Sequence, residues 1–208
     1  MIQRSAAYCL DISSGVGHLL PQRHLPHMTD LALQNIAALE ATVRLAATGD
    51  EAAFGTLVSE HHAAMARVVF VICGDPDTTR DAVQNAWSIA WRRLNTLRDP
   101  MQVRPWLIAI AANEARQGIR RRQRHRVVDL SDAMDHNAGG DPADTIDLVD
   151  LRRALAHLTP DDRSLLALRF VAGLDSSAIA KHTGLSASGV RSRLARLIAR
   201  LRMDIDHA

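Results

Sequence analysis

Asp175-Ser-Ser-Ala-Ile-Ala-Lys-His-Thr-Gly-Leu-Ser-Ala-Ser-Gly-Val-Arg-Ser-Arg-Leu-Ala-Arg196 decides how the rest of this chain is read. It reads as two short helices joined by a tight turn. Ser176 or Ser177 can cap the first helix by accepting from a free backbone N–H. Ile179 and Ala180 give that helix an apolar side, and Ala180 is small enough for a second helix to cross nearby. Gly184 falls at the bend, where positive φ is open to glycine without steric cost. Leu185 plugs the turn and Ser186 can cap the next helix, on which Val190, Leu194 and Leu197 recur at helical spacing. Ser188, Arg191, Ser192, Arg193 and Arg196 are left for the outer faces. A helix-turn-helix has this pattern, with its second helix placed to enter a major groove where arginine reads guanine edges and grips phosphate. A plain helical hairpin also needs a glycine turn and apolar spacing, so the remaining sequence has to decide.

The composition favours helices throughout. Of 208 residues, 47% are hydrophobic but only 3% aromatic, so cores must be built from Leu, Ala, Val and Ile. Strand-like alternation is absent, which predicts an all-α chain of two small helical domains. Cys9 and Cys73 have no partners at metal-ligand spacing, and no metal or other cofactor is expected. No apolar run approaches the ~20 residues that span a bilayer, and nothing resembles a signal peptide, so no membrane insertion and a cytoplasmic location are expected.

The net charge of +2 conceals a segregation along the chain. Ten arginines lie between Arg92 and Arg126 against Asp99 and Glu114. Seven aspartates and no Lys or Arg lie between Asp129 and Asp150, and basic residues return from Lys181 to Arg202. Two basic blocks around an acidic spacer suggest two surfaces for one polyanion. A merely solvated surface would mix the signs.

Residues 1–38 form an arm broken by Gly15, Gly17, Pro21 and Pro26, and the scattered His18, His24, His27 and Cys9 lack metal geometry. Asp50-Glu51 caps a helix through Ile72. His61 and His62 are adjacent, face different ways and are expected at the surface. After Gly74-Asp-Pro-Asp77, Asp77 or Thr78 begins a helix with a wide apolar stripe that includes Trp87 and Trp91. These tryptophans are expected as core anchors rather than stacking platforms. Its other side presents Asp81, Gln84, Asn85 and Ser88. Arg98 to Arg104 is a loop, and Pro105 suits the first turn of the following helix. That helix is apolar at Trp106, Leu107, Ile110 and Ala111. It becomes basic towards its end, with Asn113, Arg116, Gln117 and Arg120 to Arg122 projecting, as a helix leaving a core to lie across phosphates requires. Residues 128–149 read as an acidic linker. Thr159-Pro-Asp-Asp162 then starts a helix with Thr as N-cap, and its acids favour the dipole.

These stretches together resemble the ECF (extracytoplasmic function) group of bacterial RNA polymerase sigma factors. Gly49-Asp-Glu-Ala-Ala-Phe54 is similar to the entry of that family's first helix, and Asp81-Ala-Val-Gln-Asn-Ala-Trp87 to its polymerase-binding helix. Pro105-Trp-Leu-Ile-Ala-Ile-Ala-Ala-Asn-Glu-Ala-Arg116 resembles the −10 helix, and Leu158-Thr-Pro-Asp-Asp-Arg163 through Arg196 the −35 module. The resemblance implies a region 2-like domain over 39–127 and a region 4-like domain over 150–208. It further implies that Asp81, Gln84 and Asn85 contact the polymerase β′ clamp, that the C-terminal domain meets the β flap, and that Asn113, Arg116 and Arg120 hold the −10 element. The loop from Arg98 to Arg104 would take a flipped-out base, paying for its unstacking. Ser188, Arg191, Ser192, Arg193 and Arg196 would meet the −35 duplex. Asn85 departs from the acidic residue often found after the Gln in the family. An anti-sigma factor is a further partner that the resemblance implies.

Rival readings lack support in the residues. A LuxR-like regulator would carry a receiver or ligand domain ahead of the helix-turn-helix, and no βα alternation is present. An enzyme would need a phosphate loop, a spaced metal set or a nucleophile elbow. A bundle used only for protein contacts leaves the arginine blocks without a role.

Overall fold

The computed structural model describes residues 26–128 and 153–206, and every regular element among them is helical. The residues named in the amino-terminal arm up to Leu25, and nearly all of the acidic linker, lie outside that set. Contacts divide the chain into Met1–Ala38 and Leu39–Ala208, and the second unit holds the elements of interest.

Helix α1 spans Pro26–Ala47, so Pro26 is its first residue rather than a break; a proline there gives up an N–H that has no intrahelical acceptor. From Leu39 onward, Val43 and Ala46 enter the core, whereas Leu45 is 54% exposed. Helix α2 (Glu51–Cys73) is capped by Asp50, whose carboxylate accepts from Ala53 N, and it stops at Gly74, held at φ 72°. Helix α3 (Pro76–Arg93) starts earlier than the sequence suggests. Asp75 is its N-cap and Pro76 its first residue, because the Asp75 carboxylate collects both the backbone N–H and the hydroxyl of Thr78.

Short 3-10 turns at Leu94–Thr96 and Pro100–Gln102 lead into α4 (Val103–Val128), which places Arg104 in a helical first turn rather than a loop. Helices α2, α3 and α4 pack on one another through small residues. Ala82, Ala86 and Ala90 of α3 and Ala111, Ala112 and Ala115 of α4 are buried, which lets the backbones approach. Phe54 wedges between the two tryptophans, edge-on to Trp87 at 5.6 Å and to Trp91 at 4.8 Å. Trp87 is half-buried as expected of an anchor, whereas Trp91, expected to be an anchor too, is 39% exposed and touches Phe54 from outside the core.

Helix α2 is apolar and long enough to cross a membrane by length and composition, a property not evident from reading its sequence for unbroken apolar runs. Its fully buried Leu57, Met65, Val68, Val69 and Ile72 instead face α3 and α4, and it carries Glu60 and Arg67 on exposed faces.

The C-terminal elements are α5 (Pro160–Leu166), a π turn at Ala167–Val171, α6 (Ser176–Thr183) and α7 (Ala187–Asp206). Thr159 caps α5 as expected, accepting from Asp162 N. Asp175, not Ser176 or Ser177, caps α6 by accepting from Ala178 N, since a carboxylate one residue upstream already takes the donor. Gly184 ends α6 at φ 70°, and Ser186 caps α7 through Gly189 N. Within the π turn Leu168 is buried while Phe170 is 62% exposed. Helix α5 and the π turn lie against α2 and α4, so both basic blocks belong to one packed body.

Candidate nucleic-acid and polymerase interface

Helices α6 and α7 form the helix-turn-helix. Ile179, Val190, Leu194 and Leu197 close its small core, as their spacing predicts. Ser188, Arg191, Ser192 and Arg196 emerge on exposed turns of α7, with the Ser188 hydroxyl 3.1 Å from that of Ser186. Arg193 does not share that face. Its Nε donates to Asp162 Oδ1 at 2.7 Å, and the Asp162 side chain is only 15% exposed, so this arginine ties α7 to α5.

The residues expected at the −10 element sit on α4 and the turn before it. Arg98 and Asn113 are exposed, and Asn113 Oδ1 accepts from Arg116 at 3.4 Å. Arg104 donates to the carbonyl of Ala172 at 3.1 Å. Arg116 and Arg120 share one acceptor, Asp161, at 3.6 Å and 2.9 Å. Asn113 also borders a cavity of about 710 Å³ that Arg92 and Arg93 of α3 line from one side and His182 of α6 from another. Asp161 and Asp162 were legible only as acids suited to a helix start. Their arginine partners are 31 to 45 positions away, a separation that local pattern cannot bridge.

Asp81, Gln84 and Asn85 are exposed together on α3, as expected. A groove of about 1090 Å³ runs beside Gln84, with Phe70, Val83, Trp87 and Val171 among its apolar walls. His62 borders it and accepts from Trp87 Nε1 at 3.3 Å. His61, expected at the surface, is instead half-buried with Nε2 sealed from solvent and unpartnered; burial lowers its pKa, Glu60 opposes the shift and Arg104 adds to it. Cys73 packs on the core as a small side chain, and burial pushes its thiol up to about 11. Among the described residues no group of His, Cys, Asp and Glu is clustered to hold a metal ion.

This geometry, an exposed polar face on α3, a basic run on α4 and a helix-turn-helix after it, coincides with known families. The Sigma-70 region 2 model matches residues 57–125 and the Sigma-70, region 4 model residues 148–201. A probable RNA polymerase sigma factor RfaY of Xanthomonas campestris pv. campestris is 32% identical over 77% of this chain, which spans 42% of that protein's length. The RNA polymerase sigma factor NccH of Alcaligenes xylosoxydans xylosoxydans is 31% identical over 78% of this chain and 91% of its own. The ECF RNA polymerase sigma factor SigL of Mycobacterium tuberculosis is 26% identical over 79% and 96%. Among solved structures, CnrH in complex with the cytosolic domain of CnrY superposes with a TM-score of 0.62 and 26% identity, over 82% of this chain and 98% of that one. The chain belongs to the ECF group of RNA polymerase sigma factors, the proteins that give transcription initiation its promoter specificity.

Proposed function

We propose that this chain binds core RNA polymerase and directs it to promoters through two DNA contacts. Asp81, Gln84 and Asn85 on α3 meet the β′ clamp, and the C-terminal module meets the β flap. Asn113, Arg116 and Arg120, with Arg98 and Arg104 at the preceding turn, hold the −10 element. Ser188, Arg191, Ser192 and Arg196 read the −35 duplex, and Arg193 holds α7 in place for them. The region 2-like module over 39–127 and the region 4-like module over 150–208 divide the work. No chemical step is required of the protein, whose part is binding and positioning.

The observation that carries this reading is the order along the fold: a polar, uncharged-to-acidic face on α3, then basic α4, then basic α7. A stand-alone regulator with the same helix-turn-helix has no need of the α3 face. CnrH was solved with the cytosolic domain of CnrY, and the sigma factor RpoE of Bartonella quintana with the anti-sigma factor NepR; by that analogy an anti-sigma protein is a partner here, acting in the cytoplasm where polymerase is found. The test is co-purification with tagged core polymerase. Changing Asp81 and Gln84 together to alanine should abolish retention while leaving helix content unchanged; full retention would remove α3 from the polymerase face.

A further inference from the structure

Glu114 is the one acidic residue of α4, and the basic run on that helix gives it no role. Its side chain is only 9% exposed, yet it lines the cavity of about 710 Å³ beside Asn113. Its ion pair with Arg121 is stretched to 3.8 Å, beyond hydrogen-bond length, so the carboxylate keeps lone pairs for donors in the cavity. A carboxylate enclosed to this degree is costly unless such donors reach it. The same cavity receives Arg92 and Arg93 from the α3 side, and Trp106 and Ile110 of α4 give it aromatic and aliphatic surface. Its walls come from α3, α4 and α6, and none from the turn between Arg98 and Arg104 that the sequence offers to a flipped base. A phosphate entering here would be repelled by Glu114, so the cavity is not one more backbone contact.

We propose that this cavity is a guanine pocket and that Glu114 is its selecting residue. Guanine alone among the bases carries two adjacent donors, N1–H and the N2 amino group, which one carboxylate accepts together. Its O6 and N7 are the acceptors that arginine grips bidentately. Cytosine and adenine set an amino group beside a ring nitrogen that is itself an acceptor, and thymine sets one N–H between two carbonyls. Each of these turns a lone pair towards Glu114. Trp106 offers the ring a π surface to lie against. The volume falls within the range of small-ligand sites, and the cavity is present in the free chain. The guanine belongs either to a nucleotide in solution or to a promoter strand passing Asn113. The inference goes beyond the promoter reading, which gives neither Glu114 nor any residue of α3 a part in choosing a base; only its strand form rests on that reading.

The test uses the full-length chain, alone and with core polymerase, as wild type, as Glu114→Gln and as the pair Arg92→Ala with Arg93→Ala. Calorimetry with GMP, IMP, AMP, CMP and UMP reads the free nucleotide, and IMP differs from GMP only in lacking the N2 amino group. Fluorescence anisotropy with a labelled oligothymidine carrying one guanine, hypoxanthine or adenine reads the strand. The wild type should prefer guanine to hypoxanthine about fivefold, as one hydrogen bond gives, and to adenine about ten- to a hundredfold, as a bidentate pair gives. Glu114→Gln should erase the preference over hypoxanthine at unchanged helix content. The arginine pair should weaken guanine and hypoxanthine alike, since both carry O6 and N7.

Selectivity for GMP without selectivity in the oligonucleotide assigns the pocket to a free nucleotide, and the reverse assigns it to a promoter strand. Equal binding of guanine and hypoxanthine in both formats, or a preference that survives Glu114→Gln, overturns the pocket and leaves Glu114 as a partner of Arg121. Should Glu114→Gln lose helix content, the arginine pair decides, because undiminished guanine binding by it also overturns the pocket. Transcription by the wild type with core polymerase keeps the two claims apart. Absence of initiation defeats the sigma reading and leaves GMP selectivity standing, whereas normal initiation without guanine selectivity defeats only the pocket.

Discussion

Arg193 Nε donates to Asp162 Oδ1 at 2.7 Å, across 31 positions of sequence, and so fastens the DNA-facing helix to the start of the C-terminal module. The pair is partly shielded, and Asp162 also accepts from the Thr159 hydroxyl, which fixes it in turn. Arg193→Ala should therefore lower stability by about 1–2 kcal/mol, the range for a charge-assisted bond of mixed exposure. Arg191→Ala should stay within about 0.5 kcal/mol, as an exposed substitution does. Urea unfolding of both variants checks this; equal stabilities would return Arg193 to the list of DNA-reading residues.

Arg191→Ala and Arg196→Ala should weaken use of the −35 element while leaving polymerase binding intact. Each lost base contact costs about 1–3 kcal/mol, and each lost phosphate contact reduces the salt slope by about 1. Footprinting of the holoenzyme across salt concentrations distinguishes them. Undiminished −35 protection by the double variant would contradict the placement of α7.

Asp75 holds the start of α3 through the Thr78 N–H and hydroxyl, and these hydrogen bonds keep its carboxyl below the usual range. Asp75→Ala should cost about 1 kcal/mol, as loss of an N-cap does. Because the folded carboxyl ionises more readily than the unfolded one, its stabilisation is complete above the ordinary value and lost as pH falls through the folded one. In acid titrations of stability, Asp75→Asn should keep part of the cap and show a shallower decline than wild type; an identical decline would remove Asp75 from the account.

His61 gives a second pH dependence, near neutrality. Burial holds its folded pKa below the ordinary 6.5, so the unfolded chain takes up a proton that the folded chain refuses. Stability is then greatest above about 6.5 and falls as the solution becomes more acidic. His182 is shifted the same way, by burial and by Lys181, and contributes alongside it. His61→Gln should reduce the drop in melting temperature between neutral and mildly acidic buffer. A drop equal to that of wild type would mean that His61 is solvated.

Much of this was readable from the chain because the signals are local. Gly184, Val190, Leu194 and Leu197 announce the helix-turn-helix by spacing, and Thr159-Pro announces a helix start by chemistry. Asp81, Gln84 and Asn85 stand out as the polar side of an apolar stripe. The errors were also local, where two chemistries competed within a residue or two. Asp75 and Asp175 took the caps assigned to later residues, and Arg104 joined the following helix, which begins at Val103, two residues ahead of Pro105. What the chain could not reveal is tertiary: that Asp161 faces Arg116 and Arg120, that Arg193 pairs with Asp162, and that the Nε2 atom of His61 is sealed from solvent. No periodicity encodes which exposed charge meets which.

The most direct test of the central claim is transcription in vitro from a genomic DNA library by purified core polymerase, with and without this protein. The account predicts new discrete start sites that share upstream −35 and −10 sequences and that disappear with the Asp81 and Gln84 double variant. Binding of duplex DNA with no new start sites would contradict it, and would leave a helix-turn-helix protein that does not serve polymerase.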